Sequence, residues 1–285
     1  MKKDRLDNIL TEQGYFPSRE RAKAAIMAGI VLVDGAKIYK AGTKVDVEAE
    51  IKILGNHLPY VSRGGLKLKK AIDAFALDLK DLILIDIGAS TGGFTDCALQ
   101  HGAQKVYAVD VGYGQLDWQL RQDRRVIVLE RTNARYLTTE HIPEAVDMVT
   151  IDASFISLDK ILPTVKNFLK TEGMIVALIK PQFEAGRDKV GKKGVVRDPQ
   201  THQEVLSHVL KMGEAAKLYP WALTFSPVTG PEGNIEYLVL LKLIPSETFP
   251  GESIDENKGE TMREKLIEGV VKDAFYHLKG KEATR

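Results

Sequence analysis

A chain of 285 residues with 44% hydrophobic and 28% charged side chains has the composition of a globular protein with one large or two modest domains. It has no run of 18 apolar residues that could cross a membrane, and its single cysteine, Cys97, excludes an internal disulfide and a cysteine-rich metal site. The net charge of +1 conceals an asymmetry, because residues 1–70 carry a net charge of +6 and the remainder carries −5.

The basic N-terminal part indicates contact with a polyanion, although a solvated basic face remains an alternative. The chain begins with MKKDRLDNIL, which lacks the apolar core of a signal peptide, so we expect a cytoplasmic protein.

Residues 1–60 have the pattern of a small α+β domain. Two short helices are predicted at 4–13 and 18–28, with Ser18 as the N-cap of the second helix. Strands are predicted at 30–33, 37–39 and 51–54. A short linker then leads into a helix that ends near Phe75. Apolar spacing gives this helix a core face but does not distinguish Lys67 from its neighbours Lys69 and Lys70.

Residues 82–112 form a unit that is typical of nucleoside binding. The apolar run 82–87 predicts a buried parallel strand, and a turn of small residues follows it and leads into a helix that begins near Gly92. A second strand, 106–109, ends at Asp110, whose carboxylate can accept hydrogen bonds from both ribose hydroxyls. The unit therefore predicts a nucleoside-bearing ligand across the carboxyl ends of the two strands.

The turn lacks the G-x-G-x-x-G spacing that cradles a pyrophosphate, so a dinucleotide is disfavoured. We predict S-adenosylmethionine as the cofactor, with an ordinary strand–helix turn as the alternative. The candidate cofactor-binding residues, which include the loop expected beside adenine, are Asp86, Gly88, Ser90, Thr91, Gly92, Gly93, Phe94, Asp110, Asn133, Ala134 and Asp152.

Strands and helices continue to alternate through residue 245, which predicts a doubly wound sheet with a terminal antiparallel hairpin. The predicted strands are 126–129, 147–151, 175–179, 223–225 and 235–243, and the predicted helices are 158–169 and 200–217. We assign residues 61–245 to this domain and residues 246–285 to a tail with a helix at 261–278.

Asp152 and Lys180 each follow a predicted central strand. Ligands of open α/β sheets bind beyond the carboxyl ends of the strands, so both side chains are expected in the ligand crevice. A lysine can take a proton from a hydroxyl group only if burial or a nearby cation lowers the pKa of the amine. A surface charge at a strand end is the alternative interpretation of Lys180.

The segment SRERAKAAIMAGIVLVDGAKIYKAG resembles the RNA-binding domain of the ribosomal protein S4 type. This resemblance implies that basic side chains of the helix pair contact RNA phosphates, and it covers roughly residues 3–60. The candidate RNA-binding residues are Arg5, Arg19, Arg21 and Lys23, and we add Arg63, Lys189 and Lys192 from the second domain.

The motifs SRGGLKL, DIGASTGGFTD, TIDASFISL, LIKPQFE and GNIEYL, in this order after the S4-like segment, resemble the TlyA family of ribosomal RNA methyltransferases. The resemblance implies a Rossmann-like class I methyltransferase fold with a seven-stranded sheet, S-adenosylmethionine as cofactor and no metal. It further implies 2′-O-methylation of a cytidine, ribosomal RNA or ribosomal subunits as partners, and no membrane. The catalytic tetrad of FtsJ-type enzymes falls here on Lys67, Asp152, Lys180 and Glu236, with Lys180 as the general base.

Three alternatives remain at this point. The chain could methylate another structured RNA, it could be an RNA-binding protein without activity, or it could be a cytolysin, because TlyA proteins have been labelled haemolysins. The sequence leaves open which nucleotide is modified, which ribosomal subunit is the substrate and what the oligomeric state is.

Overall fold

The computed structural model describes residues 3–16, 19–27, 29–54, 59–230, 232–249 and 256–279. Ser18, the predicted N-cap, and the side chain of Arg21 lie outside what it describes. The chain forms two compact units, Met1–Leu58 and Pro59–Arg285.

The N-terminal unit packs two helices against short strands. Its elements are β1 (Lys3–Arg5), α1 (Leu6–Glu12), α2 (Arg19–Met27), β2 (Val31–Val33), β3 (Ala36–Lys37), β4 (Lys44–Asp46) and β5 (Ile51–Ile53). Strands β3, β2 and β5 form one antiparallel sheet, and β1 pairs with β4. Helix α1 begins at Leu6 rather than at residue 4, because residues 3–5 pair with β4, a strand that the sequence pattern missed.

The second unit is built on a seven-stranded sheet, as the family resemblance predicted. Its strands are β6 (Ile83–Ile87), β7 (Lys105–Val109), β8 (Val126–Leu129), β9 (Val146–Ile151), β10 (Leu169–Ile179), β11 (Tyr219–Phe225) and β12 (Tyr237–Lys242). Their spatial order is β11-β12-β10-β9-β6-β7-β8, and only β12 runs antiparallel to its two neighbours. The chain reverses its direction of winding between β6 and β9, and ligands of such sheets bind at that switch point.

Helices cover both faces of the sheet. They are α3 (Gly64–Ala74), α4 (Gly93–Gln100), α5 (Trp118–Gln122), α6 (Leu162–Val165), α7 (Pro181–Glu184), α8 (Pro199–Ala215) and α9 (Glu256–Lys279). Alternate strand residues enter opposite cores: Leu84 packs with α3 and α4, whereas Ile85 packs on the side of α8 and α9. Both faces are therefore buried, which explains the continuous apolar runs in the sequence.

Several helices and strands of the second unit differ from the sequence prediction. The helix expected at 158–169 is broken into short helical turns around α6, because Pro163 has no amide hydrogen to continue a helix through that position. Helix α5 was not predicted. Strand β10 begins at Leu169, with an irregular register before Met174. Glu236 precedes β12 instead of lying within it. Among the described helices, none combines the length and the apolar character that crossing a bilayer requires.

Candidate active site

Two adjoining cavities open at the carboxyl edge of the central strands. The larger has a volume of about 500 Å³ and lies beside β6 and β7, and the smaller, about 250 Å³, lies beside α3. They share Gly88, Ser90 and Asp152 in their walls. The larger volume falls in the range of small-molecule sites.

Asp110 organises the wall of the larger cavity at the end of β7. Its Oδ2 accepts a hydrogen bond from the amide of Ser90 at 2.8 Å, and its Oδ1 accepts one from the amide of Gly112 at 2.7 Å. Each carboxylate oxygen has two lone pairs, so each retains one acceptor position for a ligand hydroxyl. The carboxylate therefore ties the glycine turn to β7 and remains able to bind a ribose.

A loop after β8 supplies the apolar wall of the larger cavity. The amide of Thr132 donates to the carbonyl of Asp110 at 2.9 Å, and the side chain of Asn133 accepts from the amide of Arg135 at 3.0 Å. These bonds hold buried Ala134 beside the cavity, opposite Phe155 and Ile156. The predicted adenine loop therefore lies where a planar base would pack.

Gly88 is required by the close approach of two strand ends. Its backbone has φ +79°, and a Cβ at this position would lie 2.7 Å from the carbonyl oxygen of Asp152. Only glycine accommodates both the left-handed conformation and this contact. The turn after β6 can thus lie directly against the residue at the tip of β9.

The charges around the larger cavity fit S-adenosylmethionine. Within the described part of the chain its lining includes two carboxylates, Asp110 and Asp152, and no lysine or arginine. Such a lining disfavours a diphosphate and favours a ligand with ribose hydroxyls and a positively charged sulfonium. The residues present therefore fit the predicted cofactor.

Beside the smaller cavity lies a cluster of two lysines and two carboxylates. Lys67 Nζ lies 2.7 Å from Glu236 Oε2 and 3.3 Å from Asp152 Oδ2, and Lys180 Nζ lies 2.6 Å from Asp152 Oδ1. The four side chains are only 2–18% exposed. Lys67 and Asp152 line the cavity, Lys180 contacts Asp152, and Glu236 contacts Lys67. The structure therefore brings together the four residues that the family resemblance implied.

The pairing of charges outweighs burial in this cluster. Burial alone would lower the pKa of Lys67, but the carboxylates of Asp152 and Glu236 raise it above the ordinary lysine value. Burial alone would raise the pKa of Asp152, but Lys180 and Lys67 hold it below the ordinary aspartate value. Lys67 is therefore a fixed cation, and Asp152 is a fixed anion between two lysines.

Lys180 has a second polar partner that the sequence analysis did not identify. Its Nζ donates a hydrogen bond to Ser154 Oγ at 2.9 Å, in addition to its contact with Asp152. A neutral amine has two hydrogens and one lone pair, so these two contacts would use both hydrogens. The lone pair would then be the only position left to accept a proton.

Two of the predicted cofactor residues lie beneath the cavities instead of lining them. Asp86 is buried, with Thr95 Oγ1 donating to one carboxylate oxygen at 2.7 Å and Thr150 Oγ1 to the other at 2.9 Å. Burial raises the pKa of Asp86 to about 6. Gly92 faces Leu116 and Leu120 at the start of α4. Asp86 and Gly92 therefore pack against neighbouring side chains and do not face a cavity. Ser90, Thr91, Gly93 and Phe94 do line one or both cavities.

The predicted RNA-binding arginines of the N-terminal unit have a structural partner. Asp7, which is fully buried, accepts bonds from Arg5 at 2.9 Å and from Arg19 at 3.1 Å. The hydrogen bond from Arg5 is the main reason that the pKa of Asp7 falls to about 2. Both arginines remain nearly half exposed, and Lys23 is partly buried. The guanidinium groups of Arg5 and Arg19 therefore link β1 and α2 to α1 through Asp7 and remain partly accessible to solvent.

The three candidates on the second unit are exposed. Arg63 lines the mouth of the smaller cavity, Lys189 pairs with Glu204, and Lys192 lies in the loop before α8. Sequence reasoning missed other wall residues, among them Ser62, Gln115, Thr229 and Gly230. Ser154 could have been found from its place two residues after Asp152 at the tip of β9, but Thr229 and Gly230 come from a loop whose position depends on the insertion of β12 between β10 and β11.

Comparison with known proteins finds relatives that are similar to this chain over most of its length. A Bacillus subtilis protein, YqxC, provisionally described as an rRNA methyltransferase, is 51% identical over 286 residues, which cover 99% of this chain and 98% of the relative. The 16S/23S rRNA (cytidine-2′-O)-methyltransferase TlyA of Mycobacterium tuberculosis is 42% identical over 253 residues, 88% of this chain and 94% of the relative. A solved structure from Streptococcus thermophilus, provisionally described as a haemolysin, superposes with a TM-score of 0.73 at 43% identity and covers 99% of both chains.

Family models match two parts of the chain. An S4 domain model matches residues 4–51, and an FtsJ-like methyltransferase model matches residues 60–243. The second match covers the sheet, the glycine turn and all four residues of the lysine–carboxylate cluster. The chain therefore belongs to the FtsJ-like methyltransferase family, whose cofactor is S-adenosylmethionine, and it carries an S4 domain before the methyltransferase domain.

Proposed function

We propose that this chain methylates the 2′-hydroxyl of a cytidine ribose in ribosomal RNA. The observation that carries the proposal is the cluster of Lys67, Asp152, Lys180 and Glu236 beside two connected cavities. A ribose hydroxyl has a high pKa and needs a base, and we assign that role to the buried amine of Lys180. Two relatives whose names specify cytidine 2′-O-methylation support the choice of nucleoside.

Residues of the larger cavity would hold the cofactor. Asp110 would accept hydrogen bonds from its ribose hydroxyls, Ala134 and Ile156 would pack against its adenine, and Gly88 would allow its close approach to the backbone. When bound, S-adenosylmethionine supplies a methyl group that is electrophilic because it is attached to a sulfonium.

The four residues of the cluster would have different roles in the deprotonation of the hydroxyl group. Lys180 Nζ, as a neutral amine, would accept the hydroxyl proton on its lone pair while it donates to Asp152 and Ser154. Lys67 keeps Asp152 in place through one carboxylate oxygen, and Glu236 keeps Lys67 in place. The smaller cavity, into which Lys67 and Asp152 project, would receive the target ribose. This fixed arrangement would contribute to the rate by orienting the hydroxyl group.

The S4 domain would bind the RNA through phosphate contacts of Arg5, Arg19, Arg21 and Lys23, helped in the second unit by Arg63, Lys189 and Lys192. Lysine and arginine side chains contact phosphates without reading sequence. We place this work on ribosomal RNA or ribosomal subunits in the cytoplasm. Methylation of another structured RNA is the main competing substrate assignment. The cytolysin alternative rests only on the haemolysin names of some relatives, so we do not propose it.

The decisive experiment is to map 2′-O-methyl groups on ribosomal RNA after incubation of ribosomal subunits with the protein and S-adenosylmethionine. We expect a new 2′-O-methylcytidine with the wild type and none with Asp152→Asn. Asp147→Asn is the matched control, because Asp147 lies at the opposite end of β9 and pairs with Lys170. Methylation of a base, or of transfer RNA in preference to ribosomal RNA, would contradict the proposal.

A further inference from the structure

Two segments that carry the lysine–carboxylate cluster are joined by one carboxylate outside it. Glu184, at the end of α7, accepts a hydrogen bond from Ser157 Oγ at 2.6 Å through Oε2 and from the amide of Leu158 at 2.9 Å through Oε1. Ser157 and Leu158 end the segment 152–158, which begins with Asp152. Glu184 itself follows Lys180 by four residues. Glu184 therefore connects segment 180–184, which carries Lys180, to segment 152–158, which carries Asp152 and Ser154.

The segment 152–158 contains a residue whose backbone conformation is unfavourable. At its start, the amide of Asp152 donates to the carbonyl of Ile87 at 2.9 Å. In its middle, Phe155 has φ +64°, a left-handed conformation that is unfavourable for a residue other than glycine. Contacts from outside must maintain this conformation. Glu184 supplies them at the end of the segment, and the ring of Phe183 lies 5.1 Å from that of Phe155.

We propose that Glu184 is a positioning residue for methyl transfer. By holding the end of segment 152–158, it keeps Asp152 and Ser154 at hydrogen-bonding distance from Lys180 Nζ. Both hydrogen bonds of Glu184 go to Ser157 and Leu158, so we assign its effect to this segment rather than to a contact with cofactor or RNA. The inference rests on the proposed function, because it assigns a role within the same reaction.

If Glu184 acts by positioning segment 152–158, Glu184→Gln and Glu184→Ala should have different effects on the rate of methylation. Glutamine can keep both contacts, since its Oε1 can accept from the Leu158 amide and its Nε2 can donate to Ser157 Oγ. Alanine loses both and leaves the Leu158 amide without this acceptor. A displacement of reacting groups by about 1 Å can lower a rate by about 100-fold, so loss of the connection should be visible in the chemical step.

The test compares Glu184→Ala, Glu184→Gln and the matched control Glu214→Ala in the full chain. Glu214 is also a hydrogen-bonded carboxylate, but it pairs with Arg263 between α8 and α9, away from the cluster. In single-turnover methylation of ribosomal RNA at saturating cofactor and RNA, we expect Glu184→Ala to be at least about tenfold slower than wild type. Glu184→Gln should stay within about threefold, and Glu214→Ala should match the wild type.

Hydrogen exchange gives a readout that does not depend on activity. The Leu158 amide should exchange faster in Glu184→Ala and remain protected in Glu184→Gln. Equal rates of methylation in Glu184→Ala and wild type would overturn the inference, and so would equal losses in Glu184→Ala and Glu214→Ala, which would indicate a general effect on stability. If the wild type fails to methylate ribosomal RNA, the proposed function fails, and unchanged exchange at Leu158 would separately show that the connection itself does not exist.

Discussion

Asp152 is the residue through which the two lysines of the site are joined. Its Oδ1 lies 2.6 Å from Lys180 Nζ and its Oδ2 lies 3.3 Å from Lys67 Nζ, so one carboxylate orients two lysine side chains. Lys67 also pairs with Glu236, and the pKa of Lys67 is raised by both carboxylates. The two lysines are thus unlike: Lys67 is held as a cation by two carboxylates, whereas Lys180 is bound to one carboxylate and one hydroxyl.

This difference predicts the effect of substituting Lys180. Lys180→Arg should abolish methyl transfer as fully as Lys180→Ala, because a guanidinium stays protonated and cannot accept the hydroxyl proton. Single-turnover methylation at saturating RNA measures this, since a defect limited to RNA binding disappears there. Lys69→Arg is the control on α3, where Lys69 pairs with Asp73. A nearly normal single-turnover rate in Lys180→Arg would show that Lys180 contributes only charge.

Asp7 makes the stability of the N-terminal unit depend on pH. Its pKa falls from 3.8 to about 2 in the folded protein, mainly through the hydrogen bond from Arg5. A group whose pKa is lowered by folding contributes stability above its unfolded pKa and loses it as pH falls toward the folded value. Protection of the α1 and α2 amides against hydrogen exchange should therefore decrease between about pH 4 and pH 2.

The substitution Asp7→Asn isolates this contribution. It should destabilise the N-terminal unit at pH 7 by about 1–3 kcal/mol and remove most of the pH dependence between pH 4 and pH 2. Asp34→Asn, at an exposed turn, serves as the control. An unchanged pH dependence in Asp7→Asn would mean that other carboxylates are responsible.

At the scale of elements, the position of Lys67 depends on how closely α3 approaches α4. A Cβ on Gly93 would lie 2.3 Å from Ser62 Oγ and 2.8 Å from the amide nitrogen of Gly65. The absence of a side chain at Gly93 therefore allows the start of α4 to lie directly against the start of α3. Since Lys67 is on the first turn of α3, the crossing of the two helices places its amine at the cluster.

Gly93→Ala should therefore separate the two helices. We expect a loss of about 1–3 kcal/mol in the free energy of unfolding and a fall in methylation, because Lys67 moves with α3. Gly269→Ala at an exposed position of α9, where an added Cβ meets nothing within 4 Å, should instead be neutral or stabilise by up to about 1 kcal/mol. Urea unfolding measures both. Equal effects of the two substitutions would contradict the role assigned to the close approach.

At the scale of the whole molecule, charge is distributed unevenly along the chain. Residues 1–70 carry a net +6, and the rest carries −5, although the total is only +1. Residues 1–60 contribute only +2 of this charge, and Arg63, Lys67, Lys69 and Lys70 at the start of the second unit contribute the other +4. The candidate RNA contacts therefore rest on individual cations of both units, whereas the lining of the larger cavity contains carboxylates. Under the proposed function, binding of RNA and binding of cofactor would depend on separate groups of side chains.

The double variant Lys23→Ala plus Lys192→Ala tests this separation. RNA binding should weaken, and the slope of log K against log salt concentration should flatten by about one for each lysine that no longer neutralises a phosphate. Binding of S-adenosylhomocysteine, measured by calorimetry, should not change. An unchanged salt slope would exclude both lysines from the RNA interface.

Local patterns in the sequence were sufficient for most of the second unit. The apolar runs predicted β6 to β10 because strands that are buried on both faces need apolar side chains at every position. They also predicted that Asp110, Asp152 and Lys180 lie at the same edge of the sheet, because parallel strands end there, and Asp152 and Lys180 are in contact. Patterning was weaker where segments are short or paired at a distance, as for β1 with β4, and where a single proline breaks a helix, as at Pro163.

The family resemblance named Lys67 and Glu236, but only the tertiary structure shows how these two residues reach the cluster. Helical spacing leaves Lys67, Lys69 and Lys70 equivalent, but the crossing of α3 with α4 turns Lys67 inward while Lys69 pairs with Asp73 at the surface. Glu236 arrives from the far end of the chain because β12 inserts between β10 and β11. The sequence by itself determined the strands and their tips, since these follow from local alternation and burial. The contacts of Lys67 and Glu236 depend on the packing of segments far apart in the chain, and no local pattern records that packing.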